Sequence, residues 1–213
     1  MAAAAAGDHL YIVAATILYR VDAETGAFEA LTDRWHPHAM VGLGGALYVW
    51  EASGALYRTS PAEGSWTQVP GIWRDVRAVT ATRDRLCVAT ERTLVTLDPD
   101  TGVTTRVPGS WDAVHLVGLG RHVFSWEQDG ALYRADLATG TTTLLPGHWP
   151  HTTAAVAARD ALYAVDDGVL YRVDPRTGAY AALGTGYRPQ HLVAVGSHLY
   201  SIEDGALYRV SPG

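Results

Sequence analysis

The sequence contains no lysine and no asparagine, and only one cysteine among its 213 residues. Without asparagine there is no N-glycosylation acceptor. A lone Cys87 makes no intramolecular disulfide, so stability rests on packing and strand pairing, and the thiol reads as a small buried hydrophobe. Runs of like charge are missing as well. The formal net charge of −6 is dispersed along the chain and provides no basic footprint for a nucleic acid, which is excluded as a partner. No stretch approaches the roughly 20 apolar residues of a membrane-spanning helix. The apolar residues 1–21 lack a basic leader and are interrupted by Asp8 and His9, so they read as part of the fold and not as a signal peptide. The expected location is the cytoplasm, or outside the cell by release without a signal. Nucleophile–base signatures, phosphate loops and calcium loops are absent too, which points away from an enzyme and from any cofactor.

What the chain has instead is a repeat. Leu-Tyr-Arg stands at 18–20, 56–58, 132–134, 170–172 and 207–209, with a degenerate copy at Leu94-Val95-Thr96. The leucines fall 38 residues apart and slip by one only at the last. A period of this size marks stacked supersecondary units, and its extent from end to end argues for a single domain, residues 1–213. Each unit holds four short strand-like runs, A to D, with no helical periodicity. In the fifth unit they are 152–157, 161–166, 169–173 and 179–183. Run A is small and apolar throughout, as an innermost strand crowded around an axis requires. Between C and D, Asp22, Ser60, Asp98, Asp136 and Asp174 stand four residues ahead of Gly26, Gly64, Gly102, Gly140 and Gly178. An oxygen that caps the turn's amides, with glycine at the positive φ, is hairpin chemistry.

Four short antiparallel strands with an apolar inner one describe a propeller blade. The expected fold is therefore an all-β β-propeller of six four-stranded blades, the last incomplete because 211–213 fall inside its C–D turn; five blades are the alternative. In the six-bladed reading residues 2–6 are the first inner strand, and the ring closes by face packing of blades 1 and 6.

The second unit reads Ser65-Trp66-Thr67-Gln68-Val69-Pro70-Gly71-Ile72-Trp73, running on through Ala78-Val79 to Leu86-Cys87-Val88. It resembles the tectonin repeat of the tectonin and tachylectin-2-like propeller lectins, and its Pro-Gly recurs at 108–109 and 146–147. The likeness covers every unit in layout. It departs where the family's Gly-Val-Asn after strand B is missing, and the Asp-Pro-x-Thr-Gly after Leu-Tyr-Arg is also similar to quinoprotein-type propellers. The resemblance implies a multivalent, non-enzymatic carbohydrate binder without a cofactor, with glycans or glycoconjugates as partners.

Two sets of residues are the candidate ligand-binding positions. The D–A loops carry Trp35, Trp73, Trp111, Trp149 and Tyr187 at one repeat position, a ring of aromatics on one face. Either each stacks on the apolar face of a sugar, or each packs between blades. Strand B ends near the same face with Glu51, Glu127, Asp166 and Glu203, which either accept sugar hydroxyls or pair with the strand-C arginines. Histidines at 36, 38, 115, 148, 151 and 191 gather there as well, but their irregular spacings do not make a metal site. The expected function is a propeller lectin with sites between blades on this face. The alternative is a protein-interaction or sensor scaffold whose aromatics are purely structural. The tyrosine and arginine of Leu-Tyr-Arg are assigned to holding blades together.

Overall fold

In the computed structural model, which describes residues 1–62 and 65–210, the repeat becomes six antiparallel sheets. Blade 1 is β1 (Ala2–Ala6), β2 (His9–Ala14), β3 (Ile17–Val21) and β4 (Phe28–Thr32). Blade 2 is β5 (Pro37–Leu43), β6 (Ala46–Glu51), β7 (Leu56–Thr59) and β8 (Trp66–Val69). Blade 3 is β9 (Ala78–Ala81), β10 (Leu86–Thr90), β11 (Arg92–Leu97) and β12 (Thr104–Trp111). Blade 4 is β13 (Ala113–Leu119), β14 (His122–Glu127), β15 (Leu132–Asp136) and β16 (Thr142–Leu145). Blade 5 is β17 (Thr152–Ala158), β18 (Ala161–Asp166), β19 (Val169–Val173) and β20 (Tyr180–Thr185). Blade 6 has three strands, β21 (His191–Val195), β22 (His198–Glu203) and β23 (Ala206–Val210).

The protein is a six-bladed β-propeller; the five-bladed alternative falls because Ala2–Ala6 is the inner strand of blade 1 and not a surplus segment. Each inner strand meets the inner strands of both neighbouring blades, and β1 meets β21 to close the ring. Among the described residues no strand is exchanged between blades 1 and 6, so closure is by face packing, as the sequence implied.

A strand wedged between two blades is buried on both faces. That is why the second strands read as continuous apolar runs: Ala46 to Trp50 in β6 and Ala161 to Val165 in β18 are all buried. Cys87 sits in such a strand, and burial pushes its thiol up to about 12. The core is six separate apolar clusters, one per seam between adjacent blades.

The inner strands are small because the axis is crowded. They line a central channel of about 520 Å³. At Gly42 and Gly118 a Cβ would lie 1.8 and 1.9 Å from the carbonyl oxygens of Ala5 and Ala81 on the preceding blade, so no side chain fits there. The C–D turns follow the expected chemistry. Asp22, Asp98, Asp136 and Asp174 each accept two amide hydrogen bonds within the turn, and the glycines at 26, 102, 140 and 178 take φ of 71 to 74°. Gly64 and the turn assigned to 211–213 lie outside the described residues.

Candidate functional site

The D–A connections carry the chain from the rim of one blade to the centre of the next, and their aromatics go into the seams; Trp111, expected in a loop, is the last residue of β12, because the outer strand of blade 3 pairs on to Arg92. Trp35, Trp111 and Trp149 are 6, 2 and 3% exposed; Trp73 and Tyr187 are half-buried. Each of the five belongs to the apolar cluster of its own seam. The indoles of Trp35, Trp111 and Trp149 meet the Leu-Tyr-Arg tyrosine of the following blade edge to face, with ring centroids at 6.0 Å to Tyr57, 6.3 Å to Tyr133 and 5.3 Å to Tyr171. That geometry favours the aromatic pair beyond its buried area.

The Pro-Gly that precedes three of these tryptophans has a physical reason. At Gly71, Gly109 and Gly147 φ is 117, 119 and 106°, and a Cβ would come within 3.0, 3.1 and 2.6 Å of the indole nitrogen two residues on. Glycine is needed both for the backbone turn and for the indole folding back over it. The aromatic's own amide then donates to a B–C turn carbonyl: Trp35 to Thr16, Trp73 to Gly54, Trp149 to Gly130 and Tyr187 to Gly168.

The acids at the ends of strand B complete the stitch. Glu51 accepts from the amide of His36 at 3.0 Å, Asp166 from that of His151 at 2.9 Å, and Glu127 from that of Asp112. The residue one or two places after the aromatic is thus tied to the blade being entered, while the aromatic itself is tied to the blade being left. Glu203 accepts from the Ser201 hydroxyl at 2.6 Å. Burial pushes the Glu51 and Glu127 carboxyls above their ordinary value, and the hydrogen bonds from His36 and from Ser125 and Asp112 pull the other way.

None of the four acids forms an ion pair with a strand-C arginine among the described residues. Two of those arginines reach the next blade's C–D turn on the opposite face: Arg58 pairs with Asp100 at 3.3 Å, and Arg134 donates to the carbonyls of Pro175 and Arg176, whereas Arg20 pairs within its own blade with Glu29 at 2.7 Å. Tyr57 and Tyr133 thus pack into the seam with the preceding blade, and Arg58 and Arg134 reach across the seam to the following one.

The histidines divide into two groups. His36, His148 and His151 lie in the loops. His38, His115 and His191 stand at one mouth of the channel and bridge blades: each ring bonds a backbone carbonyl of the next blade, at Val76, Thr152 and Met1. Burial holds His115 and His191 below the ordinary imidazole value, which the Thr152 and Met1 carbonyls partly oppose. Among the described residues no group of three or more histidine, cysteine or acidic side chains is placed to hold a metal.

An inter-blade groove is open on this face. Between blades 1 and 2, Thr32, Asp33, Arg34, Glu51, Tyr57 and Trp66 line a cavity of about 410 Å³ floored by Trp35. Trp66 is 58% exposed, and its ring meets Tyr57 edge to face at 5.2 Å. Trp66 and Tyr57 were not among the sequence candidates for ligand contact. The signal that finds Trp66 is repeat position: Phe28, Trp66 and Tyr180 are all aromatic and exposed at the head of an outer strand, with successive spacings of 38 and 114 residues, both multiples of the repeat.

These features define a propeller whose seam aromatics and acids are spent on internal contacts. No protein-family model matches the sequence, and no curated protein matches it. Solved structures do. The chain is similar to PorZ, a surface component of the type-IX secretion system of Porphyromonas gingivalis, with TM-score 0.64 and 14% identity over 99% of this chain and 32% of that one. It is similar to BamB of Moraxella catarrhalis, with TM-score 0.59 and 19% identity over 99% of this chain and 69% of that one. A chain of the mitotic checkpoint complex matches with TM-score 0.68 and 14% identity over 99% of this chain and 73% of that one. The chain thus spans about a third of the PorZ chain. At these identities the likeness shows the propeller fold, and nothing in it points to the tectonin or tachylectin-2 lectins.

Proposed function

We propose that this propeller is a non-enzymatic protein-interaction scaffold whose repeat aromatics are structural. The observation that carries this reading is the burial of Trp35, Trp111 and Trp149 in the seams, with Glu51, Glu127 and Asp166 taken up by loop amides. A sugar has no exposed aromatic face to stack on at those loops. What the surface offers instead is a rim of exposed apolar side chains, Phe28, Trp66, Leu144 and Tyr180 on the outer strands and Val103 just before one, suited to a protein surface. Among the similar structures PorZ is a component of a secretion system and the checkpoint chain belongs to a multiprotein complex, which is compatible with such a role. The test is affinity capture of protein partners from source cells with and without competing sugars, alongside a glycan array. A partner retained in the presence of sugars, with a silent array, supports the scaffold; glycan binding by the wild type overturns it.

The groove between blades 1 and 2 favours a second reading, a lectin with one site in place of a multivalent ring. Trp66 would supply the platform and Asp33 and Arg34 the polar rim. A glycan that binds the wild type and not Trp66→Ala supports it, while an array response unchanged by Trp66→Ala excludes this groove.

A further inference from the structure

The groove between blades 1 and 2 exists because one staple is built differently. In the seam between blades 4 and 5 the loop indole and two tyrosines close on one another: Trp149 meets Tyr171 at 5.3 Å and Tyr180 at 4.9 Å, and the tyrosines meet at 5.8 Å. Trp35, Tyr57 and Trp66 hold the same three repeat positions. Here Tyr57 meets both indoles, at 6.0 and 5.2 Å, but among the described residues the indoles do not meet each other, and both line the cavity of about 410 Å³. The sequence reason lies just ahead of the tryptophan. Where blade 4 has Pro146-Gly147-His148, blade 1 has Thr32-Asp33-Arg34, and the Trp35 Nε1–H donates to the Thr32 hydroxyl at 2.8 Å instead of folding back over a glycine.

The groove opens on a face whose charge is one-sided. The B–C and D–A connections, with the strand residues that flank them, hold eleven of the 22 acidic side chains and five of the 16 arginines. The whole formal charge of −6 therefore resides on this face, and the rest of the chain is neutral. Among the described residues the one ion pair there joins Arg77 to Asp112. Asp33 and Arg34 line the groove with no ion-pair partner among the described residues, and the Glu51 carboxylate is fixed in its wall by the amide of His36.

We infer that this groove is the docking point for an arginine side chain presented by a basic segment of a partner protein. The acidic face attracts the segment, and the guanidinium enters beside Trp66. A planar guanidinium lies on an indole face and still directs N–H groups at a carboxylate, which suits an exposed tryptophan near the unpaired Asp33. Arg34 opposes the incoming charge, so its removal helps binding. The inference rests on the scaffold reading and gives to a partner protein the groove that a single-site lectin would use.

The probe is a synthetic peptide, Gly-Ser-Arg-Gly-Ser-Arg-Gly-Ser-Arg, with a counterpart in which neutral citrulline replaces every arginine. Each is titrated into the wild-type chain at low salt and followed by NMR through the indole N–H signals, that of Trp66 being assigned from Trp66→Phe. The expected result is saturable binding of the arginine peptide with Kd on the order of 100 µM, its shifts centred on Trp66 and the groove. The citrulline peptide binds at least about tenfold more weakly, and about 300 mM salt removes most of the affinity. Trp66→Ala and Asp33→Asn each weaken binding about fivefold or more, whereas Arg34→Gln strengthens it about twofold; amide spectra confirm that all three variants stay folded. No saturable binding by the wild type at about 5 mM peptide overturns the inference. So does equal binding of the citrulline peptide, or arginine-peptide binding unchanged by Trp66→Ala, which is attraction to the acidic face alone. Any of these, together with a protein partner captured at another surface, leaves the scaffold reading standing; a glycan that binds the wild type and not Trp66→Ala overturns both.

Discussion

At the scale of single residues, glycine and histidine do work that their composition does not reveal. Gly118 lies where a Cβ would sit 1.9 Å from the Ala81 carbonyl, and its amide accepts no freedom to move because it donates to the Thr80 hydroxyl at 2.8 Å. Gly118→Ala is expected to lower stability by on the order of 3 kcal/mol in urea unfolding, since the clash is with backbone and not with a flexible side chain. His115 gives a pH dependence. Its folded-state value lies below its ordinary 6.5, so the neutral ring is the native form. Stability is then full above that ordinary value and is lost as pH falls below it toward the folded value. The urea midpoint of the wild type should fall between about pH 7.5 and about pH 5.5 more steeply than that of His115→Gln. Equal slopes would remove His115 from the balance. His38, His115 and His191 were readable in the sequence as a second period, since they recur every 76 or 77 residues in blades 2, 4 and 6, as Glu51, Glu127 and Glu203 do every 76. The single 38-residue period hides that alternation.

At the scale of elements, legibility depends on the reach of the interaction. The C–D turn was readable because Asp174 caps amides two and three residues away, and the four strands of blade 5 were placed to within two residues for the same local reason. The D–A loop was readable as a position but not as an orientation. Whether Trp149 faces solvent or the seam depends on Tyr171 of the next blade and on the turn at Gly147, which a list of aromatics does not contain. The acids illustrate the same limit, because Glu51 meets a backbone amide fifteen residues back, and a backbone amide carries no sequence signature. Among the strands, β23 is the exception, with the sequence of a central strand and the position of an edge. Amide exchange should be markedly faster in Ala206–Val210 than in Leu132–Asp136, which is paired on both sides. Equal protection of the two would mean that the edge is already covered.

At the scale of the whole molecule the propeller is six seams in a ring, and the seams are unequal. Five contain a loop aromatic. The sixth, between blades 6 and 1, has none, and its cluster holds five buried residues among those described, Leu10, Val21, Val193, Val195 and Tyr200. Among the described residues no sheet joins blade 6 to blade 1, so opening there breaks no sheet hydrogen bonds. Local opening is accordingly expected first at β1 and β21. The account as a whole depends on the loop tryptophans being staples of the seams and not platforms for a ligand. The most direct test compares urea unfolding of Trp149→Ala with that of Trp66→Ala. The buried staple predicts a loss of about 3–5 kcal/mol for Trp149→Ala, and the exposed rim predicts no more than about 1.5 kcal/mol for Trp66→Ala. A Trp149→Ala protein as stable as the wild type would contradict it.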